Sequence, residues 1–156
     1  MKRCINYFKT TLYASSQNES FSRIIVSAFA TRLDPTVEEI ADIKTAVSEA
    51  VTNCIVHAYK NETDERKKKI YIEASYTDDG TFTVSIKDKG CGIEDINLAM
   101  QPLYTTDSAN ERSGMGFPIM QSFTDKLKVV SKVGKGTKVT MTKKLSVRKN
   151  LTDFTC

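Results

Sequence analysis

Glu49 and Asn53 stand four residues apart in a stretch of helical periodicity, so one face of a helix presents a carboxylate and an amide together. Two such side chains can share a ligand, and they equally suit a solvated helix face. Asparagine is a poor choice for a helix interior, because its amide competes for backbone hydrogen bonds. Asp88 is followed by Gly90 and Gly92. A carboxylate at the end of a strand can accept a hydrogen bond from an exocyclic amine such as that of adenine, and the glycines let backbone approach a planar ligand closely. A tight Asp-Gly turn uses the same residues. Gly114-Met115-Gly116 precedes another helical stretch, with Arg112 and Ser113 just ahead. First-turn N–H groups suit phosphate oxygens, and an arginine and a hydroxyl add to such a site. A glycine turn capping a helix explains these residues too. No Gly-Lys-Ser/Thr follows at the spacing of a Walker A loop.

These residues need elements to hold them. Ile5 to Tyr13 reads as a strand. From Ser20 to Leu33 apolar residues recur at Phe21, Ile25, Ala28, Phe29 and Leu33, which predicts a helix. Asp34-Pro35-Thr36 ends it, and Thr36 with Glu39 has capping-box spacing for the next, although the composition alone does not choose the N-cap. That second helix, about Glu38 to Tyr59, carries Glu49 and Asn53 beside an apolar stripe of Ile40, Ile43, Val47, Ala50, Val51, Cys54 and Ala58. Asn61 to Lys69 reads as a charged loop. Ile70 to Thr77 and Thr81 to Lys87 flank Asp78-Asp79-Gly80 as a hairpin, which delivers Asp88 to a strand end. A short helix from about Asp95 to Met100, a polar loop from Thr105 to Ser113 and a helix from Phe117 to about Phe123 follow, with Pro118 in the first turn of the last. Leu127 to Ser131 and Thr137 to Thr142 close the chain as strands around Gly134-Lys135-Gly136. Hairpins with helices grouped between them predict an α+β sandwich, helices on one face of a mostly antiparallel sheet, and argue against a parallel nucleotide-binding sheet.

Composition narrows the chemistry. The 156 residues are 40% hydrophobic and 27% charged, a globular balance expected to fold as one domain. Twenty-three Lys and Arg against 19 Asp and Glu leave a net charge of only +4, which predicts no direct nucleic-acid partner; the runs Arg66 to Lys69 and Lys143 to Lys149 read as solvated surface. Cys4, Cys54, Cys91 and Cys156 lie far apart without a C-x-x-C pair, and the N-terminus has no apolar stretch, so free thiols and a cytoplasmic setting are expected. No apolar run approaches the ~20 residues that span a bilayer, so no membrane partner is expected. His57 is the sole histidine, which excludes a His-rich zinc site and leaves any Ser-His-Asp triad resting on one residue.

Individually these signals are weak; their order is specific. Glu-x-x-x-Asn on a helix, Asp-x-Gly-x-Gly after a strand, Gly-x-Gly opening a helix and Gly136-Thr137 starting a strand resemble the GHKL superfamily of ATPases and kinases. Ser16-Gln17-Asn18-Glu19-Ser20-Phe21, Ser48-Glu49-Ala50-Val51-Thr52-Asn53, Gln101-Pro102-Leu103-Tyr104-Thr105-Thr106 and Glu111-Arg112-Ser113-Gly114-Met115-Gly116-Phe117 resemble, more narrowly, the anti-sigma F factor family of spore-forming bacteria, over about residues 15–144. Ala58, where that family usually has glycine, and Pro118 depart from its pattern.

The resemblance implies a Bergerat-type two-layer sandwich over residues 1–145 with a short tail at 146–156, binding ATP and Mg²⁺. It implies a serine protein kinase that inhibits a sporulation sigma factor and phosphorylates an anti-anti-sigma protein, acting as a homodimer. A stress-type anti-sigma factor and a noncatalytic ATP-switched binding module are the alternatives. Glu49 would be the general base and Asn53 the Mg²⁺ ligand. Asp88 would take the adenine amine with Thr137 nearby, while Gly90, Gly92, Gly114, Met115 and Gly116 would shape the nucleotide loops. Thr105, Thr106, Arg112 and Ser113 would belong to a lid, with Arg112 on phosphate, and Arg23 would lie where the protein partners compete. His57 would be a hydrogen-bonded residue at the site's edge.

Overall fold

The structure, a computed structural model, describes residues 2–103 and 116–147. Five strands form one sheet: β1 (Cys4–Tyr13), β2 (Lys69–Thr77), β3 (Thr81–Asp88), β4 (Lys126–Lys132) and β5 (Gly136–Lys144). Their order is β1-β2-β3-β5-β4, with every neighbouring pair antiparallel. Helices α1 (Gln17–Ala30), α2 (Val37–Asn53) and α4 (Gly116–Phe123) accompany it, with a four-residue α3 (Ile96–Ala99) between β3 and α4. The α+β sandwich expected from the sequence is the fold observed.

Period-two alternation in the strands decides which side is covered. Ile70, Ile72, Ala74 and Tyr76 of β2, Phe82, Val84 and Ile86 of β3, and Val139 and Met141 of β5 are buried, and they meet Val26 and Ala30 of α1 and Val47, Ala50 and Val51 of α2 in one core. Phe29 forms its aromatic centre, with ring centroids 4.8 Å from Phe8 edge-on and 5.0 Å from Tyr76.

Two helices differ from the sequence expectation. α1 begins three residues before Ser20, and its buried face is Ser22, Val26, Ser27 and Ala30; Phe21 is 46% exposed and Ala28 is also exposed. Small serines on the buried face bring no hydrophobic signal to the periodicity. Ser22 is accommodated because its hydroxyl donates to Asn18 O at 2.5 Å within the helix. α2 keeps its predicted stripe but ends at Asn53, and the next turn, Cys54–Ala58, widens into a π-helix. π-turns inside helices often mark functional sites, and this one directs the Ala58 carbonyl to the Cys91 N–H at 2.7 Å.

The start of α2 is fixed by a complete capping box. Thr36 Oγ1 accepts from Glu39 N at 3.1 Å and Glu39 Oε2 accepts from Thr36 N at 2.9 Å. Glu39 Oε1 also accepts from the N–H and hydroxyl of Ser146, at 2.9 and 2.8 Å, so one side chain holds both the helix start and the segment after β5. Thr36→Ala should lower stability by about 1 kcal/mol, the usual cost of losing an N-cap, and Glu39→Ala by more. Urea unfolding with an unchanged m-value measures both; a Glu39 variant as stable as wild type would remove this anchor.

Candidate functional site

α2 delivers Glu49 and Asn53 side by side, both partly buried, and the first residue of α4 closes on them. A Cβ built on Gly116 would lie 3.3 Å from Asn53 Oδ1 and 3.5 Å from Glu49 Oε2. The amide and carboxylate therefore meet the start of α4 across a narrow gap between helices. Of the residues expected around this gap, Thr105, Thr106, Arg112, Ser113, Gly114 and Met115 lie outside the described residues.

At the end of β3, Asp88 is only 5% exposed. Its Oδ1 accepts from the Gly90 N–H at 2.9 Å and the Thr137 N–H at 3.2 Å, and its Oδ2 accepts from the Cys54 thiol at 3.6 Å. Burial pushes the Asp88 carboxyl above the usual aspartate range, against the lowering effect of these three donors. Two backbone donors and one weak thiol leave Oδ2 with acceptor capacity for an amine. Asp88 and Thr137, far apart in sequence, are thus joined directly. The Thr137 hydroxyl is held in turn by Ser131 Oγ at 2.7 Å.

The glycines beside Asp88 are required by contact. A Cβ on Gly90 would fall 2.0 Å from the Ala58 carbonyl oxygen, and one on Gly92, at φ +76°, 2.3 Å from the Lys132 carbonyl oxygen. The loop therefore lies flat between the π-turn of α2 and the β4–β5 connection. Tyr59 secures its entry, its hydroxyl accepting from Lys89 N at 3.0 Å and donating to Lys69 O. His57 lies in the π-turn at the edge of this region, and its carbonyl accepts from the Cys91 thiol at 3.4 Å.

Cys54 is the site residue that sequence reasoning placed only in the apolar stripe. It is 4% exposed, and burial, together with the adjacent Asp88 charge, pushes its thiol well up, so it stays a protonated donor. The available signal was its position one residue after Asn53, where the stripe turns toward the site. Arg23 sits apart from Asp88 on α1. Its Nε is 3.0 Å from Glu19, which also accepts from the Ser48 hydroxyl, so Arg23 is tied through Glu19 to the residue preceding Glu49.

No helix among the described residues is long and apolar enough to cross a membrane. No group of three or more His, Cys, Asp or Glu among them is arranged to hold a metal ion. Asn53 Oδ1 nevertheless suits Mg²⁺, which commonly takes one or two protein oxygens and completes its shell with water and phosphate.

The family described as the histidine kinase-like ATPase domain matches residues 16–143. An anti-sigma F factor from Caldanaerobacter subterraneus subsp. tengcongensis is 55% identical over 138 residues, covering 88% of this chain and 93% of that protein. One from Clostridium acetobutylicum is 49% identical over 142 residues, covering 91% and 96%. Among solved structures, the RsbU and RsbW domains of Rv1364c from Mycobacterium tuberculosis match with TM-score 0.67 at 22% identity, over 92% of this chain and 33% of that one. The SiaB-SiaC complex from Pseudomonas aeruginosa matches with TM-score 0.62 at 13% identity, over 90% and 89%. At these identities the structural matches speak for the fold alone.

A carboxyl whose folded-state pKa is raised favours folding when protonated, and that contribution is lost as pH rises from the ordinary value of 3.8 through the folded value. Asp88→Asn keeps an oxygen for the two backbone donors and carries no charge. It should be at least as stable as wild type at pH 7, with the gap closing by about pH 4, in urea titrations across pH. A wild type that gains on the variant as pH rises would contradict the cost assigned to the buried charge.

Proposed function

The chain belongs to the histidine kinase-like ATPase family, among its anti-sigma F factors, and from that premise we propose that it is an ATP-dependent serine kinase which inhibits a sporulation sigma factor and phosphorylates an anti-anti-sigma protein. The observation that carries the catalytic part is the convergence of Glu49, Asn53 and the start of α4 within 3.5 Å of one position.

Asp88 selects the base: its free acceptor capacity suits the 6-amino group of adenine and would face a carbonyl lone pair in guanine. Gly90 and Gly92 let the loop lie close enough for that contact. Asn53 Oδ1 is the donor that would hold Mg²⁺, which supplies charge neutralisation of the phosphate oxygens when bound. Glu49, one helical turn away, would accept the proton of the substrate serine hydroxyl as its oxygen bonds to the γ-phosphorus of ATP and the bond from that phosphorus to the departing ADP oxygen breaks. The amide and carboxylate are fixed by the buried stripe of α2, so transfer relies on positioning more than on covalent chemistry. In this reading Arg112 contacts phosphate, Thr105, Thr106 and Ser113 to Gly116 enclose it, and Arg23 meets the protein partners. Homodimerisation is part of the same proposal.

Glu49→Ala should cut transfer of labelled phosphate to the anti-anti-sigma serine about 10²–10⁴-fold while nucleotide affinity moves little. Unchanged turnover refutes the base assignment; label on threonine or histidine refutes the serine kinase. Asn53→Ala should abolish the gain in ATP affinity that Mg²⁺ gives over EDTA in calorimetry. A gain as large as that of wild type removes Asn53 from the metal.

A further inference from the structure

The two oxygens of the buried Asp88 carboxylate are held unequally. Both backbone donors, the N–H groups of Gly90 and Thr137, converge on Oδ1 at 2.9 and 3.2 Å. Among the described residues Oδ2 receives only the Cys54 thiol, at 3.6 Å. Two bonds at one oxygen fix that atom but let the carboxylate pivot about it, because the terminal torsion of an aspartate side chain is broad. The thiol is the contact that opposes the pivot.

The glycine loop itself is placed by other residues. The Tyr59 hydroxyl accepts from Lys89 N at 3.0 Å, and the Ala58 carbonyl accepts from Cys91 N at 2.7 Å. The Cys91 thiol adds a bond to His57 O at 3.4 Å. All three anchors belong to the π-turn and its C-cap beyond Cys54. With the backbone of the loop fixed in this way, the Cys54–Asp88 bond contributes what they do not: it sets where Oδ2 lies.

Position 54 is buried in the apolar stripe, where alanine or valine would pack without a polar atom. An ordinary thiol is protonated at neutral pH, so Cys54 donates and Asp88 accepts. A thiol is also a weak donor. It can orient Oδ2 while leaving that oxygen more acceptor strength than an N–H or O–H donor would leave. An ionised carboxylate oxygen has about two acceptor places, and the thiol fills one of them. The other is open to a ligand.

We propose, resting on the assignment of Asp88 as the base contact, that Cys54 is a positioning and specificity residue: its thiol holds Asp88 Oδ2 in the orientation that accepts the 6-amino group of adenine. Cys54 directly follows Asn53, so one turn of the chain carries both the amide assigned to Mg²⁺ and the thiol that orients the base contact. A thiol that only fills space differs in its consequences. Losing a filler weakens every purine nucleotide alike, whereas losing an orienting donor weakens only a nucleotide that carries the amine.

Calorimetry on the full chain with Mg²⁺ compares ATP with purine riboside triphosphate, the same nucleotide without the 6-amino group. Wild type should prefer ATP, and Asp88→Asn, which puts an NH₂ in place of Oδ2, should lose the preference. Cys54→Val, which keeps apolar volume, and Cys54→Ala, which does not, should each lower the preference about 3- to 10-fold, the usual weight of one hydrogen bond. In Cys54→Val the loss should fall on ATP and spare the analogue. In the Asp88→Asn background, Cys54→Val should change the preference no further. Thermal melts establish that each variant is folded. A second measurement leaves Cys54 in place: in the chain carrying Cys4→Ser, Cys91→Ser and Cys156→Ser, the infrared S–H stretch of the remaining thiol should shift toward that of a free thiol when ATP binds, because the amine competes for Oδ2, and move less with the analogue. An ATP preference unchanged or raised in Cys54→Val, equal losses for both nucleotides, or an S–H stretch that responds alike to both overturns the proposal while Asp88→Asn still abolishes the preference. A wild type without the preference, or an Asp88→Asn variant that retains it, refutes the assignment of Asp88 itself and the proposal with it.

Discussion

The Asp88 carboxylate ties together four parts of the chain. Gly90 and Thr137 reach it by their backbone N–H groups and Cys54 by its thiol, so the end of β3, the glycine loop, the start of β5 and the end of α2 share one buried charge. Burying a carboxylate is costly unless its oxygens are bonded, and among the described residues the donors are two amides and a weak thiol, with no cation. The raised pKa of Asp88 records that deficit. A site that under-satisfies a buried acceptor is poised for one more donor, which is the property a base-recognition carboxylate needs.

α2 carries Glu49 and Asn53 and is fixed along its length. The capping box and Ser146 hold its start, and Asp42 pairs with Lys143 of β5 at 3.0 Å while Lys143 Nζ also donates to Phe123 O at the end of α4. Its buried stripe sets the rotation that presents Glu49 and Asn53 to Gly116. The π-turn then widens the helix where the Gly90–Cys91 loop needs a carbonyl. The two halves of the site are connected by this helix: Cys54, which reaches Asp88, directly follows Asn53.

The sheet serves the molecule differently on its two sides. One side supplies the apolar layer that orients α1 and α2; the other gathers lysines and tyrosines that are scattered along the chain. Composition sees only the sum of these charges, and antiparallel registry sorts them.

Periodicity and punctuation in the sequence by themselves determined the element order, the hairpin at Asp78-Asp79-Gly80, the stripe of α2 and the association of Glu49 with Asn53, because those features depend on residues within a few positions of one another. The order of the motifs along the chain also carries the family resemblance, independently of the fold. Only tertiary structure decided that serines line the buried side of α1, that Thr137 and Cys54 bond Asp88, that Gly90 lies against Ala58, and that Lys87 faces Lys138. Each of those contacts closes a loop of tens of residues or depends on strand register, and neither is written in local spacing. Burial, which sets the ionisation of Asp88 and Cys54, arises only when distant segments exclude water together.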